Sequence, residues 1–172
     1  ADAAFRCSAT VAPRRLTIAD GDVYLWGQVI HEPAADLSLD AWLAAADGSY
    51  CGFFVSATDG PLVCFTDHYG SRPVYYTDSR AQPAASDKVA SLVRLGSAFR
   101  DLRHEVMLEA LFLGASLSHD SAVAKVMALP PASCVVLAPG ELPKVQSVGD
   151  GPTGNRGSRF RTLAGASRAL AS

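Results

Sequence analysis

Phe65-Thr66-Asp67-His68-Tyr69-Gly70-Ser71-Arg72-Pro73-Val74-Tyr75-Tyr76 sets a charged, glycine-bearing turn between two apolar segments. The Asp67 carboxylate can accept hydrogen bonds from turn amides, Gly70 supplies a permissive backbone, and Pro73 fixes φ where the next strand starts. Adjacent residues on a strand point to opposite faces, so Asp67 and His68 are read as turn builders rather than as an acid–base pair. Arg72 has three candidate counterparts: Asp67, Asp87 or a partner domain. Just upstream, Tyr50 to Ala57 and Leu62 to Thr66 flank the turn composition Thr58-Asp59-Gly60-Pro61, which predicts a β-hairpin feeding directly into the quoted turn.

Further out, Ala4 to Val11 and Asp22 to Ile30 are rich in apolar and β-forming residues, and Asp20-Gly21 is a turn signal, so a hairpin or adjacent strands are expected there. Ser38 is placed to cap a short helix carrying Leu39, Trp42 and Leu43 on one face, and Ser86 to cap another carrying Val89, Leu92 and Val93. A longer helical pattern begins near Asp101, carries Leu102, Val106, Leu108, Leu111, Phe112 and Leu113, and stops at Gly114. After the Pro130-Pro131 break, Ser133 to Leu137 and Pro143 to Val148 read as strands. Many strands with few helices and no internal repeat indicate an α+β fold.

The chain has 172 residues, 49% of them apolar, enough for one domain with a real core. A formal net charge of −2 offers no basic field for nucleic acid, and no stretch approaches the roughly 20 apolar residues of a membrane helix. Neither a nucleic-acid nor a membrane partner is expected. Cys7, Cys51, Cys64 and Cys134 are widely spaced, without a CxxC pair or a histidine at ligand spacing, so no metal site is read; reduced thiols in a cytoplasmic protein fit best. His31, His104 and His119 stand apart from one another and from carboxylate clusters. From Gly149 the composition turns to glycine, proline and arginine, so residues 1–148 are read as the domain and 149–172 as a linker or disordered tail.

Three motifs in order carry a resemblance: Asp47-Gly48-Ser49-Tyr50-Cys51-Gly52-Phe53-Phe54, the turn Thr66 to Tyr76, and Ala84-Ala85-Ser86-Asp87-Lys88-Val89-Ala90-Ser91-Leu92. They resemble the Gly-x-Phe-Ala-Phe strand, the Arg-Asp-x-x-Gly-x-x-Pro-Leu-Tyr-Tyr turn and the Ala-Ser-Glu-x-Lys-Ala-Leu segment of the asparagine synthetase N-terminal domain. A fourth, Phe112-Leu113-Gly114 followed by Ala128-Leu129-Pro130-Pro131-Ala132-Ser133, is similar to that family's closing Leu-Pro-Pro-Gly element before the last strands. The matches span roughly Val23 to Leu137, and the wording of the Thr66 to Ser71 turn is also similar to β-lactam synthetase. The resemblance implies a class II glutamine amidotransferase domain of the N-terminal-nucleophile type, a four-layer αββα sandwich of two mainly antiparallel sheets. Asp67, Gly70, Arg72 and Pro73 would be its structural motif.

That family's chemistry uses a free N-terminal cysteine, whose thiolate attacks the glutamine side-chain amide while its α-amino group serves as base. This chain begins at Ala1. Ala1 cannot serve as that nucleophile; Cys7 becomes one if a leader is removed before it, and otherwise is a thiol packed in a sheet. The family's oxyanion-binding Asn-Gly pair corresponds to Trp26-Gly27. Gly27 retains a backbone N–H, but Trp26 lacks the amide donor, a loss worth about 2.7 to 4 kcal/mol of barrier. The run that would hold the glutamine amino and carboxylate groups falls between Ile30 and Asp47, which contains only Ala34-Ala35-Asp36-Leu37-Ser38 in its place.

The expectation is therefore a degenerate glutaminase-like domain of an asparagine synthetase-like, ATP-dependent, amide-forming ligase. Asparagine, lactam or macrolactam formation would lie in an ATP-pyrophosphatase-type synthetase domain, in cis or in trans. The Ser-Gly-Gly-x-Asp-Ser signature of that domain is absent here, so ATP and Mg are implied for that domain and no cofactor for this chain. Two alternatives stand beside it: an active amidotransferase whose nucleophile is missing or matures at Cys7, with glutamine as substrate, and a free-standing, non-catalytic binding module.

Overall fold

The computed structural model describes residues 11–58, 60–96, 99, 101–114 and 120–148. Cys7, His119, the tail 149–172 and all but Val11 of the strand read at Ala4 to Val11 lie outside them.

The β-forming segments build two antiparallel sheets. In the larger, β1 (Arg14–Ile18), β2 (Gly21–His31), β3 (Asp47–Ser56), β4 (Leu62–Thr66), β8 (Ser133–Leu137) and β9 (Lys144–Ser147) lie side by side in that order. In the smaller, β5 (Tyr75–Thr77) lies between β6 (Ala85–Ser86) and β7 (Val126–Ala128). The hairpin expected around Thr58 to Pro61 pairs Phe54 with Val63 and Cys51 with Thr66. The partner across the Asp20-Gly21 turn is Arg14–Ile18 rather than the earlier apolar run, with Ile18 opposite Gly21. As a sheet edge, β1 carries Arg14, Arg15 and Thr17 outward, so it lacks the apolar enrichment that marks an inner strand.

The two-residue side-chain period sorts the large sheet into two faces. On one, Val23 and Leu25 of β2, Tyr50 and Phe54 of β3, Phe65 of β4 and Cys134 of β8 form a core with Trp42 and Leu43 of α1 (Leu39–Ala45). Ser38 caps α1 by accepting from the Ala41 N–H at 3.5 Å. On the other face, Cys51, Cys64, Val135 and Leu137 pack against Val74, Tyr76 and Leu129 at the small sheet. Beyond that sheet, Leu92 of α2 (Val89–Val93) joins Phe99, Val123 and Val126, with Tyr75 packed against them. The order of layers is α1, large sheet, small sheet, α2. Each large aliphatic or aromatic side chain so buried contributes on the order of 1.5 to 3 kcal/mol before chain entropy is subtracted.

Two helix expectations are revised. Ser86 sits in β6, and its hydroxyl accepts from the Lys88 N–H at 3.1 Å; Lys88 itself is the cap of α2 and makes no side-chain capping bond. The longer helix, α3, runs from His104 to Leu113 and ends as expected at Gly114, in the left-handed conformation at φ 74°. It buries only Val106 of its ten residues. No helix among the described residues is long and apolar enough to cross a membrane.

Candidate functional site

The turn after β4 is organised by one carboxylate. Asp67 is 1% exposed, and its Oδ1 accepts from the Tyr69 N–H at 2.7 Å and from the Ser71 hydroxyl at 3.2 Å. Its Oδ2 accepts from the Tyr50 N–H at 3.1 Å and from the Ser71 N–H at 3.1 Å. The main chain of the same residue donates to the Tyr50 carbonyl at 3.0 Å and accepts from Gly70 at 3.1 Å and Ala132 at 2.9 Å. Asp67 thus ties β3, the turn and the loop before β8 to a single point. Next to it, the Thr66 hydroxyl donates to the Pro130 carbonyl at 2.7 Å. His68 is exposed and lies edge-on to the exposed Tyr69 ring.

Gly70 has φ 63°, and a methyl group there would lie 2.9 Å from Pro131 Cγ. Across that contact, Ala132 also takes the left-handed region, at φ 49°, a conformation costing a side-chain-bearing residue roughly 1 to 2 kcal/mol relative to glycine. It stands where the resemblance places the glycine of the Leu-Pro-Pro-Gly element. Ala132→Gly is expected to raise unfolding stability by about 0.5 to 1 kcal/mol, less than the full strain because glycine also gains freedom in the unfolded chain. A urea midpoint at unchanged slope reads it directly.

The same turn delivers Arg72 to β2. Gly27 has φ 113°; a methyl group added there would lie 2.2 Å from the Ser49 carbonyl oxygen and 2.7 Å from Arg72 Nε. Arg72 therefore fills the space beside Gly27, and it forms no ion pair among the described residues with either Asp67 or Asp87. The contact joins residues 45 apart in sequence, and nothing in the local pattern of either segment announces it. Trp26, beside Gly27, spends its indole N–H on the Val11 carbonyl at 2.8 Å, with its ring 5.6 Å from that of Phe53. The residue preceding Gly27 offers no side-chain amide, and the donor side chain beside Gly27 is the Arg72 guanidinium.

Two of the buried thiols, Cys51 and Cys134, are held protonated. Burial pushes Cys51 up to about 11, with Arg72 opposing and Asp87 and Asp67 adding to the rise; burial, with Asp40, pushes Cys134 up to about 11. The Tyr50 phenol is pushed up to about 12, by burial first and by Asp67 and Asp47 next. The three are stable as neutral acids in the fold and ionise more easily in the unfolded chain, so the unfolded state binds fewer protons above the ordinary thiol range. Stability is accordingly full below about pH 9 and falls as pH rises from there toward 11. Urea midpoints at pH 8, 9.5 and 11 should descend in that order, and Cys51, Cys64 and Cys134 should resist alkylation until the protein unfolds.

No group of three or more His, Cys, Asp or Glu side chains among the described residues is arranged to hold a metal. An open depression of about 400 Å³ is lined by Arg80 and residues 140–144, with neither Asp67 nor Gly27 in its wall. A scan of the sequence against protein-family models finds no match, and a search of curated proteins finds none either.

Proposed function

We propose that this chain is a glutaminase-like domain of the N-terminal-nucleophile type, belonging to an asparagine synthetase-like, ATP-dependent amide-forming ligase, and that it has given up glutamine hydrolysis. The layered order α1, large sheet, small sheet, α2 supports this reading, as do the left-handed conformations of Gly70 and Ala132, which the resemblance matches to glycines of that family's motifs. The single observation that carries the loss of activity is the state of the Trp26-Gly27 pair. The expected amide donor is replaced by an indole already bonded to Val11, and Arg72 occupies the space beside Gly27. A developing oxyanion there would lack the amide donor of the family's Asn-Gly pair, a loss worth about 2.7 to 4 kcal/mol of transition-state stabilisation, and would meet the Arg72 guanidinium instead.

The role left to the domain is to build and orient a partner synthetase domain, where ATP and Mg would act and where an asparagine, lactam or macrolactam amide would form. Glutamine would not be its substrate. An electrophilic glutamine analogue tests this: intact mass after incubation should show no adduct. A stoichiometric adduct mapped to Cys7 in a chain processed to begin there would overturn the reading in favour of an active amidotransferase.

A further inference from the structure

Arg72 is exposed, and among the described residues it makes neither an ion pair nor a hydrogen bond. The chain around it is nonetheless fixed: Asp67 holds the preceding Ser71 by its N–H and its hydroxyl, and Pro73 follows. Val74, two residues on, packs on the face of the large sheet that carries Cys51 and Trp26, so Arg72 comes down on that face with its Nε beside Gly27. Its opposition to the rise of the Cys51 thiol agrees with a cation lying there.

The groups around Arg72 are donors beside an apolar wall. Gln28 and Ser49 are register partners on β2 and β3, one step from Gly27 and Tyr50, and the two-residue side-chain period puts them on the face of Trp26 and Cys51. Both are exposed, and neither commits its side-chain hydrogens to a described residue. Gly27, without a Cβ, lets the guanidinium lie against the main chain. The next acid along β3, Asp47, stands opposite His31. On the other side, Trp26 is held by its bond to Val11, its ring 5.6 Å from Phe53, which stacks on Tyr24 at 4.8 Å. An uncompensated guanidinium selects an anion, and its planar fork matches a carboxylate. The rings favour a carboxylate carried on an apolar body.

We propose that the surface at Gly27 is a carboxylate-binding site, with Arg72 as its charged donor, Gln28 and Ser49 at its rim and Trp26 as the wall against which the body of the acid lies. A free small acid and an acidic side chain on a partner chain present the same chemistry to Arg72. Such binding involves no turnover and is independent of the proposed loss of glutamine hydrolysis.

Trp26 reports on the site, because the chain's other tryptophan, Trp42 of α1, is 1% exposed and packs on the opposite face of the large sheet. Titration of the full chain with phenylacetate at constant ionic strength should change tryptophan emission saturably. Phenylacetamide, the same body without the charge, should bind at least about tenfold more weakly. Arg72→Met should weaken phenylacetate binding by a similar factor, and Arg72→Lys, which keeps the charge without the fork, should fall between. The capped dipeptide acetyl-phenylalanyl-aspartyl-amide, whose one carboxylate is a side chain, separates the two sources. Tighter binding than phenylacetate assigns the site to a partner chain, and weaker binding assigns it to a free acid. Phenylacetamide bound as tightly as phenylacetate, unchanged binding by Arg72→Met, or no saturable response to either acid would overturn the proposal.

Discussion

Asp67→Ala should destabilise the domain by about 4 kcal/mol, a large fraction of the 5 to 15 kcal/mol that holds a typical domain together. The carboxylate is buried and satisfies the N–H groups of Tyr50, Tyr69 and Ser71 and the Ser71 hydroxyl. Deleting it strands several buried donors at once, each carrying a desolvation cost of about 1 to 3 kcal/mol, partly relieved by water entering the turn. Asp67→Asn separates acceptor capacity from shape: the amide keeps one acceptor oxygen but turns N–H groups toward donors, so its loss should be intermediate. Urea unfolding of the three proteins gives the order wild type, Asn, Ala. An alanine variant within 1 kcal/mol of wild type would show that the turn does not depend on the carboxylate.

Gly27→Ala should cost about 3 kcal/mol or more, although it adds a single methyl group. At φ 113° an L side chain is strained whatever space surrounds it. Here the space is also taken: the methyl group would meet the Ser49 carbonyl at 2.2 Å and Tyr50 Cα at 2.9 Å, both main-chain atoms of β3. Arg72 can swing aside, being a flexible side chain, but the β2–β3 ladder cannot open without losing its hydrogen bonds. Gly114→Ala is the contrasting case, with a positive φ but open space around it, and should cost only about 1 kcal/mol. Equal losses at the two positions would mean that backbone strain alone, and not crowding, sets the penalty at Gly27.

What was legible in the sequence followed local chemistry. The β3–β4 hairpin was marked by apolar runs around Thr58-Asp59-Gly60-Pro61, and β8 by Ser133 to Leu137 after two prolines, because inner strands of a two-sided sheet are apolar on both faces. The edge strand β1 was hidden by Arg14, Arg15 and Thr17, and β7 by its length of three residues. For α3, the apolar spacing placed the helix and its glycine stop but implied a buried face that the fold does not supply. At the site, Asp67 could be read as a turn acceptor because its partners lie mostly within four residues. The meeting of Arg72 with Gly27 could not, since it depends on how the turn is carried across the sheet by Asp67 and Tyr50.

Ammonia release from glutamine by the purified chain, with intact mass recorded on the same sample, tests the central claim most directly. The account predicts no release above the uncatalysed background. Turnover by a chain whose mass begins at Cys7, abolished by Cys7→Ala, would contradict it and make the domain a working amidotransferase.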